Sequence, residues 1–154
     1  MLAHQLTLTD TARAMSENVE IVRRLYEHWA RGDYSAVDFF DPNVVYSRIG
    51  TETPGMEGEW RGLEEMRAGT LEYFRAFSDL RNKVERIIDL GDDRVLVLSR
   101  QTARGKLSGA PFEHELADLM TLEDGKIVGM AAYWSRAEAL AAVGLSEQDA
   151  HPDS

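Results

Sequence analysis

Apolar residues in the first part of the chain recur at the three- and four-residue spacing of an amphipathic helix. This helix is predicted between Ser16, which can cap its start, and Gly32, which can end it. Its apolar stripe consists of Val19, Val22, Leu25, Tyr26 and Trp29. The stretch "DYSAVDFF" that follows predicts a second, short helix, and "NVVYSR" has the β-branched and aromatic content of a strand.

Helical spacing returns at residues 62–79. The predicted stripe of this helix is Leu63, Met66, Thr70, Leu71, Phe74 and Phe77. Between the two helical regions, the segment "IGTETPGMEGEW" is rich in glycine and glutamate and predicts a loop. This loop is either solvated or able to close over a binding site as a lid.

The second half of the chain changes to the spacing of β-strands. Strands are predicted at residues 83–90, 94–104, 112–123 and 127–134. The Asp-Gly turn in "EDGK" joins the last two strands as a hairpin. Ser135 can then cap a final helix in "SRAEALAAVGL".

The order of these elements predicts an α+β fold of one domain. Helices come first and antiparallel strands follow, so we expect a cone-shaped, curved antiparallel sheet wrapped around the N-terminal helices, with a C-terminal helix. We assign the domain to residues 16–145, a flexible arm or short helix to residues 1–15, and a polar tail to residues 146–154. The mouth of such a cone can hold a small molecule as well as a core.

The composition argues against several classes of function. A formal net charge of -10 over 154 residues repels nucleic acids and anionic membranes. The absence of cysteine removes disulfides, thiolate catalysis and cysteine zinc sites. Neither an apolar leader nor a membrane-spanning apolar run occurs, so we expect a soluble cytoplasmic protein. The four histidines are scattered, and we expect neither a metal nor a cofactor.

A carboxylate lies on an apolar face of the strand "ELADLM". Period-two alternation places Asp118 on the same side as Leu116 and Met120. Because an unpaired buried carboxylate is costly, three interpretations are open. Asp118 is a neutral acid that donates to an enolate, or an ionised base that accepts a proton. Otherwise it is structural, either ion-paired with Arg48 or Arg100 or exposed at a strand edge.

Arg48 is the second candidate for chemistry. A guanidinium at the end of a strand can clamp a carboxylate or an enolate, which suits an anionic or 1,3-dicarbonyl ligand. The alternative is an arginine at a strand end in solvent.

The predicted pocket combines polar and aromatic side chains. Ser99 and Gln101 share one face of their strand and Arg100 and Thr102 share the other, but alternation alone does not decide which face is concave. In addition to the two catalytic candidates, the predicted pocket residues are Tyr26, Tyr46, Trp60, Phe74, Ser99, Gln101, His114, Leu116, Met120, Met130 and Trp134.

The segment "HELADLMTLEDGKIVGMAAYWSRAEAL" resembles the C-terminal half of the nuclear-transport-factor-2-like superfold, in particular its SnoaL-like and ketosteroid-isomerase-like branches. "GD" at residues 32–33, "WRG" at residues 60–62 and "DGKI" at residues 124–127 match the same superfold. The resemblance implies a cone, or cystatin-like roll, with an apolar pocket for a small hydrophobic molecule. It also implies a homodimer formed through the outer face of the sheet.

Position by position, the resemblance assigns family roles to residues of this chain. Asp118 falls where ketosteroid isomerases keep a protonated aspartic acid in the oxyanion hole, and Trp134 falls on their pocket tryptophan. Their catalytic base aligns with Arg48. Their oxyanion tyrosine aligns with Leu25, one residue before Tyr26.

The resemblance therefore implies cofactor-independent acid-base chemistry on a hydrophobic carbonyl compound, by isomerisation or by aldol-type cyclisation as in SnoaL-type polyketide cyclases. The alternative is a non-catalytic ligand-binding or assembly module, which an arginine at the base position favours. A third possibility is a limonene-type epoxide hydrolase, which needs two aspartates flanking Arg100. Thr102 and Ala132 occupy those positions here, and the fold alone does not decide among these functions.

Overall fold

The computed structural model describes residues 8–35, 37–50 and 56–150. Helices and strands alternate in the first half of the chain, and an uninterrupted run of strands fills most of the second half. In chain order the elements are α1 (Leu8–Ala30), a 3-10 helix (Val37–Phe39), β1 (Phe40–Ile49), β2 (Gly58–Arg61), α2 (Gly62–Arg75), β3 (Phe77–Asp89), β4 (Arg94–Gly105), β5 (Pro111–Glu123), β6 (Lys126–Tyr133), α3 (Arg136–Ala142) and α4 (Glu147–Ala150). None of these helices is long and apolar enough to cross a membrane.

The six strands form one curved sheet in the order β2-β1-β6-β5-β4-β3. Neighbouring strands pair in the antiparallel sense, except that β1 and β6 run parallel. The predicted α+β architecture, with helices ahead of a curved sheet and a helix after it, is confirmed. The parallel pair was not predicted, because β1 and β6 are far apart in the chain and nothing in either strand indicates its partner.

Two element boundaries differ from the predicted ones near the helices. Helix α1 begins at Leu8, ahead of the predicted cap at Ser16. Helix α2 ends at Arg75, and Phe77 starts β3 by pairing with Gly105 of β4. The stretch "FSDLRN" has no clear strand pattern, so its extended conformation depends on these backbone hydrogen bonds to the neighbouring strand.

The segment predicted as a loop contains a strand. Residues 58–61 form β2, which pairs with β1 at the edge of the sheet. Residues 51–55 of the same segment, and with them most of the predicted lid, lie outside the described residues. The same holds for residues 1–7 of the predicted arm and residues 151–154 of the predicted tail, whereas residues 147–150 form α4.

The main hydrophobic core lies where α1 packs into the concave face of the sheet. Burying each large apolar side chain contributes on the order of 2 kcal/mol, so this cluster dominates the packing energy. Its buried members are Val22, Leu25, Tyr26, Phe40, Val44, Val95, Val97, Met120, Leu122 and Ile127.

A second cluster covers the convex face of β4 and β5. Leu96, Leu98 and Ala117 point away from the main core and pack against Ala139 and Leu140 of α3. Ser135 fixes the start of α3 as predicted, because its side chain accepts a hydrogen bond from the Glu138 backbone. Both faces of β4 are therefore buried, which explains its continuous apolar run at residues 95–98.

The strand register places two charged residues in one line across the concave face. Arg48 of β1 pairs with Ala132 of β6, and Ala132 pairs with Asp118 of β5. Since neighbouring strands lie about 4.8 Å apart, the backbones of Arg48 and Asp118 are separated by roughly 10 Å. Only the methyl group of Ala132 lies between them on this line of the sheet.

Helix α2 approaches the sheet edge closely at Gly69. A Cβ atom added at Gly69 would lie 2.7 Å from the indole ring of Trp60, which is closer than side chains pack in proteins. The absence of a side chain at this position therefore lets α2 lie directly on β2.

Substitution of Gly69 tests this contact. Gly69→Ala should lower the free energy of unfolding by about 1–3 kcal/mol, because overpacking against Trp60 outweighs the gain of about 1 kcal/mol in helix propensity. The matched control is Ala68→Gly at the exposed neighbouring position, which should lose only the propensity difference. Urea unfolding measures both variants, and a Gly69→Ala protein more stable than the wild type would contradict the tight approach.

Candidate active site

The concave face of β4 carries Ser99 and Gln101. Ser99 pairs with Leu116 and Gln101 pairs with His114, so these four side chains line the same side of the sheet as Asp118. The pairing resolves the choice between the two faces of β4 that the sequence left open.

Arg100 lies on the opposite, convex face. Its guanidinium pairs with Glu113 at 2.9 Å and Glu115 at 3.1 Å and lies near Glu85 at 3.5 Å. It is therefore surrounded by glutamates at the surface, and no aspartate pairs with it in the described part of the chain. The arrangement required for the limonene-type epoxide hydrolase is not present there.

Asp118 is buried in the middle of the concave face, with 8% of its surface exposed. Its Oδ2 atom accepts a hydrogen bond from the Tyr26 hydroxyl. No ion pair with Asp118 occurs among the described residues, so the predicted ion pairs with Arg48 and Arg100, and the predicted exposure, are wrong. Desolvation by burial raises the pKa of Asp118 to about 6, and the hydrogen bond from Tyr26 opposes part of that rise.

Tyr26 holds Asp118 from helix α1. The preceding residue, Leu25, is fully buried in the main core, so it is Tyr26 that reaches the carboxyl group. The α1 residue that contacts Asp118 is therefore Tyr26, one residue after the position with which the family's oxyanion tyrosine aligns. Burial and the nearby Asp118 charge raise the pKa of Tyr26 well above its ordinary value, which keeps its hydroxyl protonated and able to donate.

Arg48 is buried as well, with 4% of its surface exposed. Its Nε atom donates to the backbone carbonyl of Met56 at 2.6 Å, and its Nη1 atom donates to the carbonyl of Gly69 at 2.9 Å. The remaining nitrogen, Nη2, is buried without a hydrogen-bond partner. The solvent-exposed alternative for Arg48 is thus wrong.

Three aromatic rings surround the Arg48 guanidinium. Its central carbon lies 4.2 Å from the ring centre of Trp60, 5.3 Å from that of Tyr73 and 5.7 Å from that of Tyr46. Each such cation-π contact contributes about 0.5–2 kcal/mol in a desolvated site. The rings hold the cation, and Nη2 is left without a hydrogen-bond partner.

Tyr73 was missed by the sequence analysis, which placed Leu71 and Phe74 on the buried face of α2. Leu71 is 44% exposed, and Phe74 packs its ring against Tyr34, which is itself 50% exposed. Phe74 also meets the Tyr73 ring edge-on at 6.3 Å, so it lies beside the site and not around the guanidinium. The signal for Tyr73 was available, since it lies seven residues after Met66 and shares its helix face.

Tyr73 also connects α2 to the sheet. Its hydroxyl donates to Oε1 of Gln101. Burial raises the pKa of Tyr73 above its ordinary value, so the hydroxyl remains a donor. This bond orients the Gln101 amide on the concave face.

The other predicted pocket residues share the concave face at different depths. His114 donates from Nε2 to the Trp134 carbonyl and stacks on the Trp134 ring at 4.8 Å. Both residues border an open groove of about 760 Å³ whose lining includes Arg100 and Arg136 but neither Asp118 nor Arg48. The Ser99 hydroxyl is buried without a partner. Met120 is fully buried, whereas Leu116, Met130, Trp60 and Trp134 are half-buried.

Asp118 and Arg48 both face the buried space on the concave side of the sheet, which we call the interior. Tyr46 and Tyr73 each lie within the electrostatic influence of both groups. The site therefore combines a carboxyl group, a guanidinium and neutral phenols in surroundings from which water is largely excluded. No three histidine, aspartate or glutamate side chains in the described part of the chain are placed to hold a metal ion.

Comparison with known families decides the identity of the fold. The SnoaL-like domain family matches residues 22–130, which is more than half of the chain. The chain belongs to the SnoaL-like domain family. No curated protein matches the sequence.

Solved structures show the same fold as this SnoaL-like domain. An NTF2-like protein of unknown function from Burkholderia pseudomallei superposes with a TM-score of 0.70 at 20% identity, covering 82% of this chain and 97% of its own. A protein with a ketosteroid isomerase-like fold from Catenulispora acidiphila, in complex with trimethylamine, gives 0.62 at 18%, covering 82% and 93%. TerC, co-crystallised with polyporic acid, gives 0.68 at 18%, covering 83% and 98%. At these identities the likeness establishes the fold alone.

The raised pKa of Asp118 predicts how the stability of the SnoaL-like domain depends on pH. Since the folded pKa of about 6 exceeds the ordinary value of 3.8, Asp118 contributes stability below pH 4 that is lost as the pH rises to 6. The loss amounts to about 3 kcal/mol. Asp118→Asn should therefore gain about 3 kcal/mol relative to the wild type between pH 4 and pH 7.

Denaturant unfolding at a series of pH values measures this difference. Asp124→Asn, in the exposed turn between β5 and β6, supplies the matched baseline. A constant difference between Asp118→Asn and the wild type across this range would show that the carboxyl group is not desolvated.

The Tyr26 hydrogen bond makes a separate prediction for the same SnoaL-like domain. Because this bond favours the ionised carboxylate, Tyr26→Phe should move the pKa of Asp118 further above 6. A carbon-detected NMR titration of the Asp118 carboxyl measures the shift, with Tyr34→Phe at an exposed position as the control. An unchanged or lowered pKa in Tyr26→Phe would contradict the contact.

Proposed function

We propose that this SnoaL-like domain catalyses cofactor-independent proton transfer next to the carbonyl group of a small hydrophobic compound, leading to isomerisation or aldol-type cyclisation. Membership of the family supports a pocket for a small molecule. The observation that carries the proposal is the pair of buried groups on one line of the sheet. Asp118 has a pKa close to neutrality, and Arg48 has an N–H group without a partner.

Asp118 is the proposed proton acceptor. A general base is most effective when its pKa lies near the working pH, and a carboxyl group with a pKa of about 6 is largely ionised at pH 7. The carboxylate takes a proton from the carbon beside the carbonyl, the electron pair of that C–H bond becomes the carbon–carbon π bond, and the π pair of the carbonyl moves onto its oxygen. The Tyr26 hydroxyl holds the carboxyl group in position during this step.

Arg48 is the proposed stabiliser of the resulting enolate. The enolate oxygen accepts a hydrogen bond from Nη2, in a site where low local dielectric strengthens the attraction. Return of the proton to another carbon completes an isomerisation. For an aldol-type ring closure, the enolate carbon attacks a second carbonyl, the π pair of that carbonyl moves onto its oxygen, and this oxygen takes the proton back from Asp118.

A non-catalytic ligand-binding module is the second candidate. By the resemblance, Arg48 takes the position of the catalytic base of ketosteroid isomerases, and an arginine there favours binding without catalysis. A fold that co-crystallises with polyporic acid in TerC is also compatible with binding alone.

Deuterium exchange tests the catalytic proposal. The wild type should accelerate exchange of the α-protons of enolisable ketones with D₂O, and the rate should rise with pH through about 6 as Asp118 ionises. Asp118→Asn should lower the rate about a hundredfold or more while retaining ligand affinity. Arg48→Lys should lower the exchange rate less than Arg48→Met, because lysine keeps the positive charge and loses only the planar, two-pronged arrangement of N–H donors.

The exposed Asp124→Asn protein is the control and should exchange at the wild-type rate. Exchange that is unaffected by Asp118→Asn would exclude Asp118 as the base. Ketones that bind with no exchange across the whole panel would favour the binding module.

A further inference from the structure

Arg48 is a buried cation without a counter-ion in the described part of the chain. Its hydrogen bonds go to neutral acceptors, which are the backbone carbonyls of Met56 and Gly69 and, at 3.5 Å, the Tyr46 hydroxyl. No carboxylate lies within ion-pair distance of it there. Removing a guanidinium from water costs several kcal/mol, which neutral acceptors and ring contacts offset only in part. An anionic ligand oxygen would supply a direct ion-pair partner.

The anchoring of Arg48 fixes the direction of its free arm. Nε and Nη1 are held by carbonyls from two different segments, Met56 ahead of β2 and Gly69 in the middle of α2, so the guanidinium plane cannot rotate without losing a bond. Nη2 is the nitrogen that remains for a ligand. The rings of Tyr46, Trp60 and Tyr73 lie around the guanidinium carbon itself, and a planar oxyanion matches the in-plane N–H groups of Nη2.

Asp118 is the other charged group that the described residues place in this interior. Tyr26 faces it from α1, Tyr46 and Arg48 lie in the same interior from β1, and Tyr73 does so from α2. The neighbours that flank it on β4 and β6, Val97 and Ala132, are apolar. Further along β5, His114 is engaged with the Trp134 carbonyl. Protonation of Asp118 is therefore the step that changes the net charge of the interior by one unit.

We propose that the interior binds a planar monoanion, a carboxylate or an enolate, at Arg48, and that binding is accompanied by uptake of one proton on Asp118. The inference rests on the proposed function only in placing the ligand between these two residues. With Asp118 ionised, the free interior holds one positive and one negative charge. A bound anion adds a second negative charge in a desolvated space, and protonation of Asp118 restores the balance.

Two oxyanion probes and their neutral counterparts test this inference. The first pair is benzoate and benzamide, and the second is the enolate of 5,5-dimethylcyclohexane-1,3-dione and its non-ionisable methyl enol ether. Isothermal titration calorimetry in buffers of different ionisation enthalpy gives the affinity and the number of protons taken up. The first pair reports on carboxylates and the second on enolates.

The wild type should bind at least one oxyanion in preference to its neutral counterpart, with uptake of about one proton at pH 7. Its affinity should rise roughly tenfold for each pH unit as the pH falls from 8 towards 6. Asp118→Asn should bind the same anion with no proton uptake and no pH dependence. Arg48→Met should lose about tenfold or more in affinity, and Arg48→Lys should keep part of it.

Equal binding of the charged and neutral probes would overturn the proposal, as would anion binding without proton uptake in the wild type. Failure of both oxyanions to bind at millimolar concentration would do the same. These readouts on the wild type stand even if Arg48→Met does not fold. Proton-linked anion binding without α-proton exchange would contradict the proposed catalysis but not this inference. Exchange of neutral ketones without anion binding would contradict this inference but not the proposed catalysis.

Discussion

The hydrogen bond from Tyr26 to Asp118 is the constraint on which the interior depends. It joins the first helix to the middle of the sheet across 92 residues of chain. A buried carboxyl group needs a donor when it ionises, and α1 supplies that donor while its neighbouring residues Val22 and Leu25 build the main core. The packing of α1 and the protonation of Asp118 are therefore coupled, since a shift of the helix would disturb both.

The buried charge of Arg48 depends on the opposite edge of the sheet. Its guanidinium is held by carbonyls of Met56 and Gly69, and Gly69 can come this close because it has no side chain to meet Trp60. The short strand β2 and helix α2 thus together enclose the Arg48 cation in aromatic surroundings. The same contacts leave one guanidinium nitrogen without a partner.

The sequence predicts the sheet better than the site. Strict alternation in β5 placed Asp118 on an apolar face, and the strong strand patterns of β4 to β6 gave their existence and order. The stripe of α2 was misplaced because Leu71 and Phe74 are more apolar than Tyr73, whose burial depends on a partner from β4, Gln101. The burial of Arg48 could not be predicted from the sequence either, because backbone carbonyls accept its hydrogen bonds and every residue has such a carbonyl.

One charge count connects the proposed reaction with the proposed ligand. Proton transfer from a neutral carbonyl compound to Asp118 converts a carboxylate into an acid and creates an enolate beside Arg48, so the net charge of the interior does not change. A water-poor site penalises changes in net charge far more than movements of charge within it. In the proposed reaction, the separation of Arg48 and Asp118 across Ala132 keeps the two groups from forming an ion pair. A direct ion pair would neutralise both groups, whereas two separate charges allow the negative charge of an enolate to form beside Arg48 while that of Asp118 is neutralised.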